Sequence, residues 1–203
     1  MVIDIQARNR RNERREATRS EILEASWALV REHGLSGLAL RDIAAKVGMR
    51  APSLYWYFDS KHAIYDAMFA EGNRTLLDRM NGEEPPTEPR ALLRQLASVL
   101  VEFGMQDAAR FQLMFQRTIP DFEPSAESYA LATEVVERSR DWLGASGITS
   151  PAHFDLWTAL VSGLASQQLA NNPGGDRWQR LIDDAVDMFA NHVLTSPSSR
   201  SST

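Results

Sequence analysis

Apolar residues return every three or four positions along nearly the whole chain, with almost no alternating β-branched stretches. That period belongs to helices that bury one face, and it predicts about nine of them. The first runs from Thr18 to His33, where Ile22, Leu23, Ser26, Trp27, Leu29 and Val30 make one broad face and Gly34 supplies a stop. Short segments follow from Leu40 to Val47 and from Pro52 to Phe58, then a longer one from Ser60 to about Met80. The stretch from Asn81 to Pro89, with Gly82 and three prolines, cannot continue a helix and reads as a linker. Beyond it the same period predicts helices from Pro89 to Gln106, Ala108 to Thr118, Ser125 to Leu143, Pro151 to Asn171 and Asp176 to Leu194. Pro120, Pro124, Pro151 and Pro173, with Gly144, Gly147, Gly174 and Gly175, fall between them as start and stop signals. From Thr195 the chain is Ser-rich and reads as a disordered tail. The expected fold is all-α.

Composition narrows what such a bundle can be. With 203 residues, 43% of them hydrophobic, the chain can bury a core in one compact domain or two small ones. No apolar run approaches the roughly 20 residues needed to cross a bilayer. The first residues also lack the apolar stretch of a secretory signal, so a cytoplasmic location and no membrane partner are expected. There is no Cys, which excludes disulfides, thiolate metal sites and thiol nucleophiles. A net charge of −5 argues against a nucleic-acid partner, but the charge is unevenly divided. Residues 1–80 hold 13 Lys/Arg against 11 Asp/Glu, whereas residues 81–203 hold 9 against 16. Arg8, Arg10, Arg11, Arg14, Arg15 and Arg19 crowd the beginning of the chain. A flexible cationic arm over residues 1–17 suits a phosphate backbone or a minor groove, although a charge run taken by itself reads first as a solvated, disordered tail.

The informative stretch lies between Gly34 and Met68. Leu40, Ile43, Ala44 and Val47 form one apolar face of a two-turn helix, which Gly48 can end by taking a left-handed backbone. Pro52 then opens the next helix in its first turn, where a missing amide hydrogen costs nothing. In that second helix Leu54 and Phe58 can pack inward, leaving Ser53, Tyr55, Trp56 and Tyr57 partly outward. Three consecutive aromatics span about 200° of a helix, too much for one buried face. Exposed rings are costly in water unless they meet another surface, and sugar, phosphate and thymine methyl groups provide one. Their hydroxyl and indole N–H groups can donate to phosphate oxygens, and Lys61 adds a cation alongside.

The run G-L-S-G-L-A-L-R-D-I-A-A-K-V-G, followed by A-P-S-L-Y-W-Y-F and S-K, resembles the TetR-family signature. That resemblance implies an N-terminal three-helix helix-turn-helix domain over residues 18–65 and a helical ligand-binding and dimerisation domain over residues 66–195, ahead of a disordered tail at 196–203. It implies that Arg41 reaches base edges or backbone, that Pro52, Ser53, Tyr55, Trp56 and Tyr57 make groove and phosphate contacts, and that Lys61 anchors a phosphate. Two departures stand out: Ala39 where a capping Thr or Ser is usual, and Arg50-Ala51 in place of a Ser-containing turn. Each lost cap weakens the helix start by roughly 1 kcal/mol. Arg50 is expected to offset the second loss by binding phosphate directly.

The implied partners are double-stranded operator DNA, a small lipophilic or aromatic effector and a second copy of the chain, with no cofactor and no metal. Phe103, Phe111, Met114, Phe115, Trp142 and Trp157, with Phe122 and Phe154, supply bulky and adaptable apolar surface for an effector pocket. In the penultimate helix Leu160, Gly163, Leu164 and Gln167 recur at spacings of three and four, and Leu181, Ala185, Met188 and Phe189 belong to the last helix. Together they suggest a four-helix dimer interface, with intrachain packing as the alternative for any one residue. Ligand binding is expected to tilt the fourth helix and move two recognition helices off the roughly 34–36 Å spacing of successive major grooves.

Competing classes find less support. The chain has no G-x-S-x-G elbow, no phosphate-cradling P-loop and no H-E-x-x-H, so an enzyme is not expected. His33, His62, His153 and His192 lie far apart, and Asp183, Asp184 and Asp187 read as a solvated face. An architectural DNA-binding protein that senses nothing would not need so long an acidic second half.

Overall fold

The computed structural model describes residues 2–82 and 84–194, with side chains from residue 9 onward. The tail expected at 196–203 lies outside the described residues. Among these residues the regular structure is helical throughout: α1 (Val2–His33), α2 (Leu40–Lys46), α3 (Ala51–Leu54), α4 (Lys61–Gly82), α5 (Pro89–Gln106), α6 (Ala108–Phe115), α7 (Ala126–Ala145), α8 (Pro151–Asn171) and α9 (Ile182–Leu194). A 3-10 turn, Gln179–Leu181, precedes α9.

Most helix ends follow the local signals. Gly34 takes φ 76° and closes α1. Glu88 caps α5, its carboxylate accepting from the amides of Arg90 at 3.0 Å and Ala91 at 2.6 Å. Those two bonds hold its carboxyl below the usual range. Three elements differ from expectation. Residues 2–17, expected as a flexible arm, are the first half of α1. They contain neither Gly nor Pro, and the helix propensity of their five Arg, two Glu and two Ala prevails over the repulsion of like charges. The regular part of α3 ends at Leu54, and Tyr55 to Tyr57 continue as a turn rather than as helix. Before α9, the stretch from Asn172 folds around the buried Gln168 side chain. Its amide donates to the carbonyl oxygens of Asn172 and Gly175, and its oxygen accepts from the amides of Trp178 at 2.8 Å and Gln179 at 3.3 Å. The Gln168 oxygen thus caps the amides that follow Asp176, whose carbonyl accepts the Arg180 amide at 3.0 Å, and regular α-helix begins only at Ile182, after the 3-10 turn.

The chain divides into two compact units. One comprises the chain up to Gly72 together with Ala109–Tyr129, the other Asn73–Ala108 and the chain from Ala130 onward. The first unit joins residues 109–129 to the N-terminal helices, and specific polar contacts hold them there. The Asp66 carboxylate accepts from the Ser125 amide at 2.7 Å, the Ser125 hydroxyl at 2.9 Å and the Ser128 hydroxyl at 2.8 Å. Arg110 pairs with Glu71 at 3.2 Å, its guanidinium 4.9 Å from the centre of the Trp27 ring. Inside this unit α1 packs against α2, and Ile22, Ser26, Leu29 and Val30 of α1, Ile43 and Ala44 of α2, Leu54, Phe58, Ile64 and Met68 are all buried. The Ser26 hydroxyl is satisfied by the Ile22 carbonyl at 2.7 Å. Tyr65, wholly buried, donates its hydroxyl to the Leu35 carbonyl. Burial pushes that phenol up to about 12, so it remains a neutral donor at any physiological pH.

In the second unit α5 is the central helix, packed against both α8 and α9. Leu92, Leu93, Leu96, Ala97, Val99 and Val101 are all buried, a wider apolar girth than one contact face requires. At its polar edge Arg90 and Arg94 converge on Asp187 at 3.1 and 2.9 Å, and Arg94 also reaches Asp183 at 3.1 Å. Asp183 and Asp187 of α9 thus form an ion-pair network with α5, where the sequence suggested only a solvated face.

Candidate nucleic-acid interface

The turn between α2 and α3 is fixed by backbone geometry. Gly48 adopts φ 71°, the Met49 amide donates to the Ala44 carbonyl at 2.8 Å, and the Gly48 amide donates to Ala45 at 3.2 Å. This pair of bonds is the Schellman closure, which needs a left-handed residue at its corner. A Cβ on Gly48 would meet no atom within 4 Å, so Gly48→Ala carries only the conformational penalty. It is expected to lower unfolding free energy by about 1–2 kcal/mol in urea titration.

Arg50 then extends the chain at φ −83°, ψ 141°, and Pro52 sits in the first turn of α3. As expected, neither Ala39 nor Arg50 provides a side-chain cap. The Leu54 carbonyl accepts both the Tyr57 amide at 2.8 Å and the Phe58 amide at 2.9 Å, which closes the segment into one compact knuckle. Leu54 and Phe58 point into the core at 1% and 4% exposure. Trp56 is 80% exposed and Tyr55 55%, while Tyr57 and Ser53 are half-buried and Pro52 is exposed. The Ser60 hydroxyl accepts from the Ala63 amide at 3.0 Å and so caps α4. It thereby positions Lys61, whose ammonium lies 5.4 Å from the Tyr65 ring centre. Arg41 and Arg50 are exposed, and Arg41 lies 3.2 Å from the neighbouring Asp42.

Two arginines of α1 hold this knuckle from behind, and sequence reasoning did not assign them. Arg15 donates to the Trp56 carbonyl at 3.4 Å. Arg19 donates to the Tyr57 carbonyl, and its guanidinium stacks 4.2 Å from the centre of the Phe58 ring. Only the i, i+4 placement of these arginines hints at a shared role. The contacts themselves span about forty residues, beyond the reach of local patterning.

The expected pocket residues do not gather in one place. Met114 and Phe115 line a cavity of about 180 Å³ in the first unit, together with Phe69, Phe122, Pro124 and Tyr129. Phe111 lies behind Phe115, ring centres 5.1 Å apart. Phe103, Trp142 and Trp157 are buried in the second unit instead. Of the expected dimer set, Gly163 and Gln167 are exposed and Leu160 and Leu164 half-buried along one side of α8, with Leu156 46% exposed one turn earlier. Near α9, Leu181 and Met188 are exposed at 36% and 62%. Ala185 and Phe189 are buried in the protomer's own core, Phe189 with its ring 5.1 Å from that of Trp157. Adjacent residues on a helix diverge by about 100°, so Met188 and Phe189 cannot share a face. Among the described residues no cluster of His, Asp or Glu is arranged to hold a metal ion, and no helix is long and apolar enough to cross a membrane.

A tight glycine turn between two short helices, presenting exposed aromatics and flanking cations, defines a helix-turn-helix DNA-binding protein with a second helical unit. Comparison with known proteins gives the same class. Residues 22–68 match the family described as bacterial regulatory proteins, tetR family. The chain is 38% identical to the tetracycline repressor protein class D of Escherichia coli over 160 residues, covering 76% of this chain and 71% of that protein. It is 34% identical to the class C repressor of Escherichia coli, covering 85% and 96%. The fold also resembles the transcriptional regulator FadR from Bacillus subtilis, solved in complex with stearoyl-CoA, with a TM-score of 0.62 at 16% identity, covering 84% and 96%. The chain belongs to the tetR family of bacterial regulatory proteins, which are ligand-responsive DNA-binding transcriptional regulators.

Proposed function

We propose that the chain is a cytoplasmic homodimeric repressor that a small lipophilic or aromatic effector releases from its operator. The observation that carries the DNA-binding face is Trp56, a large apolar ring left 80% in water beside Tyr55 at the tip of the knuckle. In this reading Tyr55, Trp56, Tyr57, Pro52 and Ser53 lie against sugar, phosphate and methyl groups, and Lys61 and Arg50 bind phosphate. Arg41 reads a base edge. The apolar cavity at Phe69, Met114, Phe115 and Phe122 supports an effector of aromatic or lipophilic character. The outward faces of α8 and α9, with Leu156, Gly163 and Met188, and Leu181 in the turn before α9, support pairing with a second copy. Because Phe69 of α4 lines the cavity and Lys61 opens the same helix, a tilt of α4 is the proposed link between effector and operator.

The test is DNA binding by anisotropy on duplexes footprinted in the chain's own upstream region, with point changes. Lys61→Ala is expected to weaken all sequences alike, whereas Arg41→Ala is expected to relax preference at one base pair by about 1–3 kcal/mol. Uniform loss for Arg41→Ala would reassign it to the backbone. An effector that binds tightly but leaves operator affinity unchanged would remove the coupling.

A further inference from the structure

The stripe of α1 that is buried in its second half turns cationic in its first half. At 100° per residue Arg11, Arg14, Arg15 and Thr18 lie within about 60° of the line that continues into Ile22, Ala25, Ser26 and Leu29. Those four later residues are buried, while Arg11, Arg14 and Arg15 are exposed. The helix has outrun its own core, and the face it would have buried opens into a groove of about 700 Å³. Arg11, Arg14, Arg15 and Thr18 line one wall of this groove, and Trp56 and Tyr57 line another. Arg15 ties the walls together through the Trp56 carbonyl. An array of guanidinium groups beside an exposed indole matches one chemistry well, that of phosphodiester oxygens alternating with apolar sugar edges.

We propose that this groove is a second DNA contact, in which Arg11 and Arg14 grip the operator's sugar-phosphate backbone alongside the segment met by Trp56. The proposal rests on the DNA-binding function proposed for the knuckle. It adds a sequence-independent clamp on the α1 extension, a part of the chain outside the helix-turn-helix. Arg15 and Arg19 are positioning residues in this arrangement, since their contacts are with the knuckle's own backbone and rings.

The experiment uses the full chain and a labelled duplex of mixed sequence, because phosphate contacts do not depend on base identity. Anisotropy titrations across a salt series compare the unchanged protein with Arg11→Ala/Arg14→Ala, Arg11→Lys/Arg14→Lys and Lys61→Ala. Alanine favours helix at these exposed positions, and circular dichroism checks that α1 is retained. The expected result is binding weaker by about tenfold or more for the alanine pair, with a log–log salt slope shallower by about 0.9 for each phosphate that is no longer neutralised. The lysine pair should recover most of the slope. If Lys61→Ala weakens binding while the alanine pair keeps the original affinity and slope, the groove is only a solvated helix face and the DNA-binding function stands. If the unchanged protein ignores the duplex at low salt, both fall.

Discussion

Aspartate in place of Met188 is expected to separate the proposed homodimer and to weaken operator binding about a hundredfold or more. Met188 is 62% exposed on α9, two turns beyond the exposed Leu181. A thioether so placed gains by being covered, and a carboxylate in the same position would have to lose its water without a partner. Two recognition helices held in one molecule bind the second half-site at a high effective concentration, whereas a monomer has one half-site's affinity. Sedimentation at micromolar protein should show the mass halved, and anisotropy should show the loss. A variant that stays dimeric with full affinity would move the interface off this face. The substitution touches no buried contact, so thermal stability of the isolated protomer should change little.

Trp157→Ala is expected to act in the opposite manner, lowering unfolding free energy by about 3–5 kcal/mol. The indole is 1% exposed, rests on Phe189, and makes no hydrogen bond through its ring nitrogen. Its contribution is therefore packing, and its removal leaves a cavity between α8 and α9 that rigid helices cannot fill. Urea unfolding monitored by helicity measures the loss. A change below about 1 kcal/mol would mean that the core collapses around the gap. Trp56→Ala provides the contrast, because a ring exposed at 80% adds little to stability and its loss should appear in DNA binding alone.

The parts of this protein legible in its sequence are those governed by neighbours along the chain. Gly34 and Gly48 mark left-handed corners, Pro52 marks a helix start, and consecutive Tyr55, Trp56 and Tyr57 cannot all be buried. These signals need no knowledge of the tertiary fold. Features in which a distant group decides are less visible. The arginine-rich start reads as a flexible arm when its charge is weighed without the absence of helix breakers. Gln168 reads as an ordinary helix residue, although it organises the chain before α9. Spacing alone groups Ala185 and Phe189 with Met188, and only packing against α5 and α8 shows which of them turn inward. The bulky residues of the second half can be counted but not assigned to a cavity, since core and pocket draw on the same side chains.

Acrylamide quenching of tryptophan fluorescence measures the presentation of Trp56 directly. In the free protein the component that disappears in Trp56→Phe should be readily quenched, while the buried Trp27, Trp142 and Trp157 are shielded. Saturating the protein with its upstream duplex should protect that component. Bound duplex that leaves Trp56 as open to acrylamide as before would place the DNA on another surface and contradict the account.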